Sequence, residues 1–428
     1  MLDHSQIFKE RVIIVHDYCR NNDSFESVKE LVRLAQSAGA KIDTTIRLSQ
    51  ISTNRKTYVS SGKVTAIKEA INKFCSTLVI LESTISPIQE RNLERELNTR
   101  VIDRVRLILD IFAIRARTRE GKLQVELAQL QHLSTRLVRG WSHLERQRGG
   151  IGLRGPGETQ LETDRRLIGA RIKRLKKQLH KVSSQRQLHR RRRQRDLIPL
   201  VALVGYTNVG KSLLFNRLTG ADVYTADKLF ATLDPTVRRI EVPEFGPVLL
   251  LDTVGFISNL PTSLVKSFRA TLEEITVSQL LLHVVDFSHE NHQERMSEVD
   301  HVLDEIGALG IPKLTIFNKI DLTDKSPVRS ASEDLNANKV WLSAESGAGM
   351  EHLWKILQKN LGEARKSRKL LLFKGGGKFR SKLYDLAEVQ EERIDEEGNW
   401  LLEILIDPAN EGRLNSLRGH GKAFAWLD

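Results

Sequence analysis

Leu200-Val201-Ala202-Leu203-Val204-Gly205-Tyr206-Thr207-Asn208-Val209-Gly210-Lys211-Ser212-Leu213-Leu214-Phe215-Asn216-Arg217-Leu218 is the stretch that decides the fold. Five apolar residues read as a buried strand. A glycine-bounded loop follows, and the apolar run after Ser212 reads as a helix. The spacing is GxxxxGK[ST] in its strand–loop–helix context. Its chemistry suits a nucleotide tail. Backbone N–H groups from Gly205 through Gly210 can wrap a β-phosphate, and the helix N-terminus adds positive potential. Lys211 is placed to neutralise β- and γ-phosphate charge, and the Ser212 hydroxyl to ligate Mg2+.

Downstream segments fit the same sheet. Pro247–Leu251 is an apolar strand ending in Asp252-Thr253-Val254-Gly255, which supplies a carboxylate near the metal and an N–H for the γ-phosphate. Leu280–Val285 and Leu314–Phe317 are further strands, and the latter ends in Asn318-Lys319-Ile320-Asp321. Guanine presents N1–H and 2-amino donors beside an O6 acceptor. Asp321 can accept from both donors and Asn318 can serve the acceptor edge. Adenine would leave that carboxylate unpaired. Strand Val340–Leu342 leads to Ser343-Ala344-Glu345, whose backbone can close over the base. Between the phosphate loop and Asp252 lies Phe230-Ala231-Thr232-Leu233-Asp234-Pro235-Thr236. A nucleotide switch needs a threonine here to complete metal coordination and sense the γ-phosphate. Thr232 is preferred, because Thr236 opens the next strand. Four motifs in order at strand ends of one doubly wound sheet point to a GTP-binding domain.

The charge is uneven. The 428 residues carry a formal net charge of +13, but residues 115–195 hold 23 Lys/Arg against 6 Asp/Glu. Arg171–Arg195 has 12 basic residues and no acidic one, so no i,i+4 pair relieves the repulsion. A polyanion such as RNA is the partner this pattern favours. In the same segment Leu123, Leu127, Leu130, Leu137, Trp141 and Leu144 follow heptad spacing, as do Ile168, Ile172, Leu175, Leu179 and Val182. Gly149–Gly157, with five glycines and a proline, cannot continue a helix. An antiparallel helical hairpin with a glycine-rich tip is predicted.

Before it, Val12–Val15, Thr44–Leu48, Leu78–Leu81 and Val101-Ile102 alternate with helical stretches, including Ser61–Phe74 and Ser86–Leu97. That order predicts a parallel or mixed open sheet. After the nucleotide domain, apolar Trp400–Ile406 fits a small α+β appendage. The expected class is therefore α/β. A P-loop GTPase domain (198–363) follows an N-terminal α/β domain (1–114) and the basic hairpin (115–197), and precedes a C-terminal domain (364–428). No apolar run reaches the roughly 20 residues of a bilayer span, and two cysteines exclude a disulfide scaffold. A cytoplasmic monomer without integral membrane insertion is the expectation, peripheral membrane contact remaining open.

The Gly-Tyr-Thr-Asn-x-Gly-Lys-Ser loop, Phe-Ala-Thr-Leu-Asp-Pro-Thr, Asp-Thr-Val-Gly-Phe and Asn-Lys-Ile-Asp resemble the HflX family of GTPases. So do Ser86–Glu94, Val101–Arg104 and Gly149–Glu158 upstream. The resemblance implies cytosolic GTPases that bind the large ribosomal subunit, probe ribosomal RNA and help split stalled ribosomes. Val209 and Leu213 depart from the family's usual alanine and threonine without removing a phosphate or metal ligand. Many GTPases place a water-orienting Gln where this chain has Phe256, so slow hydrolysis is expected until a partner stimulates it. In loops of this kind Asn208 either coordinates a monovalent cation such as K+ or caps the loop. The rival readings are a tRNA-modification or ribosome-assembly GTPase and a membrane-surface GTPase regulator using the basic helix. The helix's narrow apolar stripe without aromatics disfavours the last.

Overall fold

The computed structural model describes residues 10–17, 23–48, 54–147, 163, 165–182, 198–220, 229–230, 232–258, 272, 274–323, 338–364, 366–374, 377–384, 386–395, 397–406, 410–411, 414–415 and 424–427. The glycine-rich tip, the arginine run at 190–193, Ala231, Leu260-Pro261 and most of Phe268–Ile275 lie outside them. The chain divides into two compact units. The first comprises Met1–Val182, Thr225–Asp234 and Ile257–Thr271, and the second the rest.

The first unit is built on a four-stranded sheet of order β2-β1-β3-β4: β1 (Arg11–His16), β2 (Lys41–Arg47), β3 (Leu78–Leu81) and β4 (Arg100–Asp103). Every pairing is parallel. Such sheets are covered on both faces, so their strands are continuous apolar runs. Val12–Val15 and Leu78–Leu81 are accordingly buried. Helices α2 (Ser61–Phe74) and α3 (Pro87–Leu97) contribute Val64, Ile67, Ile71, Leu93 and Leu97 to one core. The start of α3 is set by Ser86, which forms a reciprocal capping box with Gln89, and by Pro87 in the first turn. Helices α1 (Asp23–Ser37) and α4 (Arg104–Arg115) pack together, with Asp103 capping α4.

Helix α5 (Arg119–Gln147) begins the predicted hairpin and packs on α3 and α4. This modifies the seam the heptads suggest. Val125 and Ala128 are more deeply buried than Leu123 and Leu130, because they face the sheet domain. Arg136 pairs with Asp103 at 3.1 Å and with Glu90, tying the helix down further along. Residues 165–182 form α6, and Arg171 reaches Glu126 on α5 at 2.6 Å. Among the described residues, Leu127 and Leu175 are the buried members of the two seams. The basic residues from Arg171 to Lys181 point to solvent.

The second unit carries a six-stranded sheet of order β10-β9-β8-β5-β7-β6. Its strands are β5 (Leu200–Gly205), β6 (Thr236–Val242), β7 (Gly246–Asp252), β8 (Leu280–Asp286), β9 (Lys313–Asn318) and β10 (Lys339–Trp341). All pairs are parallel except β6–β7. Helices α7 (Lys211–Thr219), α8 (His292–Glu305) and α9 (Met350–Ala364) complete this P-loop GTPase fold. The C-terminal residues form a four-stranded antiparallel sheet of order β12-β13-β11-β14 with α10 (Gly377–Tyr384). Its strands are β11 (Lys366–Leu372), β12 (Glu388–Ile394), β13 (Trp400–Ile406) and β14 (Phe424–Trp426). Phe379, Leu383, Leu402 and Phe424 fill its core.

Candidate functional site

The site is assembled at the carboxyl ends of β5, β7 and β9, where open α/β sheets bind ligands. β5 is buried along its whole length and delivers Gly205 into the loop. Tyr206 forms a parallel bridge with Phe256, and the Thr207 N–H donates to Phe256 O at 2.7 Å. The phosphate loop and the Asp252–Gly255 turn are thus laced together. Gly255 shows why no other residue serves there. A Cβ would stand 2.8 Å from Thr207 Cα and 3.0 Å from Lys211 Nζ. Phe256 is 4% exposed, so its phenyl ring is packed inside the fold.

Lys211 is buried, and its Nζ donates to Gly205 O at 3.0 Å and Tyr206 O at 2.5 Å. Burial lowers its ammonium from 10.5 to about 8, against the opposing attraction of Asp252. The Ser212 hydroxyl donates to Asp252 Oδ2 at 2.9 Å, so two hard oxygen donors meet where a divalent cation is expected. That donor set fits Mg2+. Thr253 is buried and donates through Oγ1 to Leu203 O, holding the turn on β5. Val254 and Val209 are buried, so both face the site through backbone.

At the base end, Asn318 has a task the sequence did not reveal. Its Nδ2 donates to Val209 O at 2.8 Å and its Oδ1 accepts from the Ala344 N–H at 2.8 Å. The side chain straps the phosphate loop to the Ser343–Glu345 turn. Lys319 adopts φ 66°, and its Nζ donates to Asn208 O at 2.9 Å and to Asp286 Oδ2 at 2.7 Å. Burial would raise the Asp286 carboxyl, but hydrogen bonds from Lys319 and Ser288 outweigh it and hold it below its usual value. Ile320 and Asp321 lie in the following 3-10 turn, with Asp321 exposed and open to a ligand. Ser343 accepts from the Ser346 N–H, which shapes the turn. Arg217 donates to Glu345 O at 2.5 Å. Asp286 and Arg217 were missed because neither lies in a motif.

Phe230, Thr232, Leu233 and Asp234 belong to the first unit. The side chains of three of them have partners within that unit. Phe230 packs edge-on against Phe112 with ring centroids 4.6 Å apart. Leu233 is buried. The Asp234 carboxylate accepts from the Arg117 and Thr118 N–H groups at 2.9 and 2.8 Å. Their side chains are spent on packing and helix capping. Thr232 is half-buried.

The profile described as "50S ribosome-binding GTPase" matches residues 200–319. Those described as "GTP-binding GTPase N-terminal" and "GTP-binding GTPase Middle Region" match 25–113 and 115–193. The GTPase HflX of Escherichia coli K12 is 49% identical over 406 residues, 95% of each chain. That of Magnetococcus marinus is 46% identical over 386 residues, 90% of this chain and 89% of its own. A GTP-binding protein from Sulfolobus solfataricus, solved with GDP, is 26% identical with a TM-score of 0.46, covering 83% of this chain and 99% of that one. The two HflX relatives match this chain along nearly its whole length: it belongs to the HflX family of GTPases and is a GTP hydrolase.

Proposed function

We propose that this GTP hydrolase acts on the large ribosomal subunit in the cytoplasm, as a monomer, contacting ribosomal RNA through its basic segment and helping to split or rescue ribosomes. The observation that carries the reading is the fusion of the nucleotide site to a helix, 165–182, whose lysines and arginines are exposed. Such a face suits phosphate backbones. Among the described residues no helix is long and apolar enough to cross a membrane.

In the mechanism, Gly205–Gly210 cradle the phosphates and Lys211 holds β- and γ-phosphate charge. Asp321 reads the guanine donors, and Ser343, Ala344 and Glu345 frame the base. Ser212 and Thr232 would hold Mg2+, with Asp252 beside Ser212, and the ion would neutralise phosphate charge. Gly255 and Thr232 sense the γ-phosphate. Phe256 orients no water, so positioning and charge neutralisation act alone until the ribosome orders the switches. In sucrose-gradient sedimentation with a non-hydrolysable GTP analogue, the protein is expected to migrate with large subunits, and kcat to rise when they are added. Absence of co-migration would defeat the reading.

Asn208, exposed at φ 62° beside the phosphate loop, is proposed to hold a monovalent cation. Its carbonyl is already engaged by Lys319, which leaves the side chain for that role. Hydrolysis in K+ should exceed that in Na+ severalfold, and equal rates reject the cation.

A further inference from the structure

Glycine is a poor choice inside a helix, since alanine orders the backbone at lower entropic cost. Yet Gly121 is the third residue of α5. The reason lies in the segment that carries Thr232. An alanine Cβ at 121 would come 2.3 Å from Asp234 Oδ1 and 3.2 Å from Asp234 Cγ. Around that carboxylate the helix start is fully organised. The Arg117 and Thr118 N–H groups donate to Asp234 Oδ2 at 2.9 and 2.8 Å. The Thr118 hydroxyl donates to Asp234 Oδ1 and accepts from the Gly121 N–H at 3.0 Å, as an N-cap does. Asp234 thereby supplies the negative charge that a helix N-terminus favours. Phe230, four residues upstream, packs on Phe112 of α4. Thr232 is therefore bracketed by two attachments to the N-terminal part of the chain. Pro235, next after Asp234, already belongs to the second unit.

We propose that the first turn of α5 is a docking seat that positions the switch threonine for GTP hydrolysis, with Asp234 the group that docks and Gly121 the clearance it requires. Two residues of extended chain span at most ~7 Å, so Thr232 cannot stray far from the seat. Docking removes conformations the switch would otherwise have to lose in reaching its ordered state. The proposal rests on Thr232 acting as the switch residue.

The test is steady-state GTP hydrolysis by the full chain. Gly121→Ala should lower kcat about tenfold while KM for GTP stays within about twofold, because binding resides in the phosphate and base loops. Its Tm should stay within a few degrees, the alanine gained by the helix offsetting the displaced Asp234 contact. Asp234→Ala should match it. The double variant should be no slower than either single one, as both break one contact. Gly62→Ala, with nothing within 4 Å of the new methyl, should leave kcat unchanged. An unaltered kcat in folded Gly121→Ala, or multiplying effects in the double variant, would overturn the proposal. Thr232→Ala separates the two ideas. If it lowers kcat and Gly121→Ala does not, the seat is wrong. If it leaves kcat unchanged, the switch assignment itself falls and takes the proposal with it.

Discussion

Lys211→Met should abolish GTP turnover while making the nucleotide-free protein more stable. The ammonium meets developing charge on the transferred phosphoryl group. Removing one such preorganised donor costs about 10^2- to 10^3-fold, and phosphoryl transfer lies at the upper end. In the empty site, however, the same charge is a burden. Its pKa, lowered from 10.5 to about 8 by burial, represents about 3 kcal/mol of destabilisation at neutral pH. The sign follows from proton counts. Between about pH 8 and 10.5 the unfolded chain holds the proton and the folded chain does not, so stability rises with pH through that window. Below it, both states are protonated and the full penalty stands. Methionine keeps the apolar stem and drops the charge, so Tm without nucleotide should increase. GTP affinity of the unaltered protein should fall about tenfold per unit above pH 8, because binding must then include protonation. Calorimetric scans and nucleotide titrations across pH 7 to 10 check both. A destabilised Lys211→Met protein would show that the buried ammonium is better satisfied than its surroundings indicate.

Arg104→Met should cost about 3–5 kcal/mol of stability, a large share of what a domain possesses. Arg104 and Glu30 form a buried pair at 2.8 Å, their side chains 7% and 8% exposed. Arg104 Nη2 also donates to Ser258 O and Oγ at 2.9 and 3.2 Å, and the Ser258 hydroxyl donates to Glu30. The methionine variant leaves a carboxylate in the interior without its cation, which is the expensive outcome. Replacing both partners, as Arg104→Met with Glu30→Leu, should recover much of the loss, because the interior then holds no charge at all. Urea unfolding of the three proteins measures this directly. A single variant weakened by less than about 1 kcal/mol would mean that solvent reaches the pair.

Much of this was legible in the sequence because the informative residues are local. A strand buried on both faces must be a continuous apolar run, so β1, β3, β5, β8 and β9 announce themselves. The phosphate loop, Asp252–Gly255 and Asn318–Asp321 are read from spacing alone. Less visible were features made by residues distant in the chain. β12 carries Glu388, Gln390, Glu391, Glu392 and Arg393, and resembles a charged loop until paired with β13. The strap that Asn318 makes between Val209 and Ala344 joins residues far apart in the chain. Asp234 sits in a nucleotide-switch motif, yet its carboxylate serves a helix more than a hundred residues earlier. Gly121 gives no signal at all, since a helical glycine has meaning only beside the atom that occupies its missing methyl.

The chain passes between its two units five times, at 182/183, 224/225, 234/235, 256/257 and 271/272. No single cut separates them. A fragment beginning at the phosphate loop would keep Phe230 and Ser258 but lose Phe112, Arg104 and the start of α5, leaving a bare aromatic ring and an orphaned loop. Swapping the N-terminal half for that of a distant relative would break the same seams.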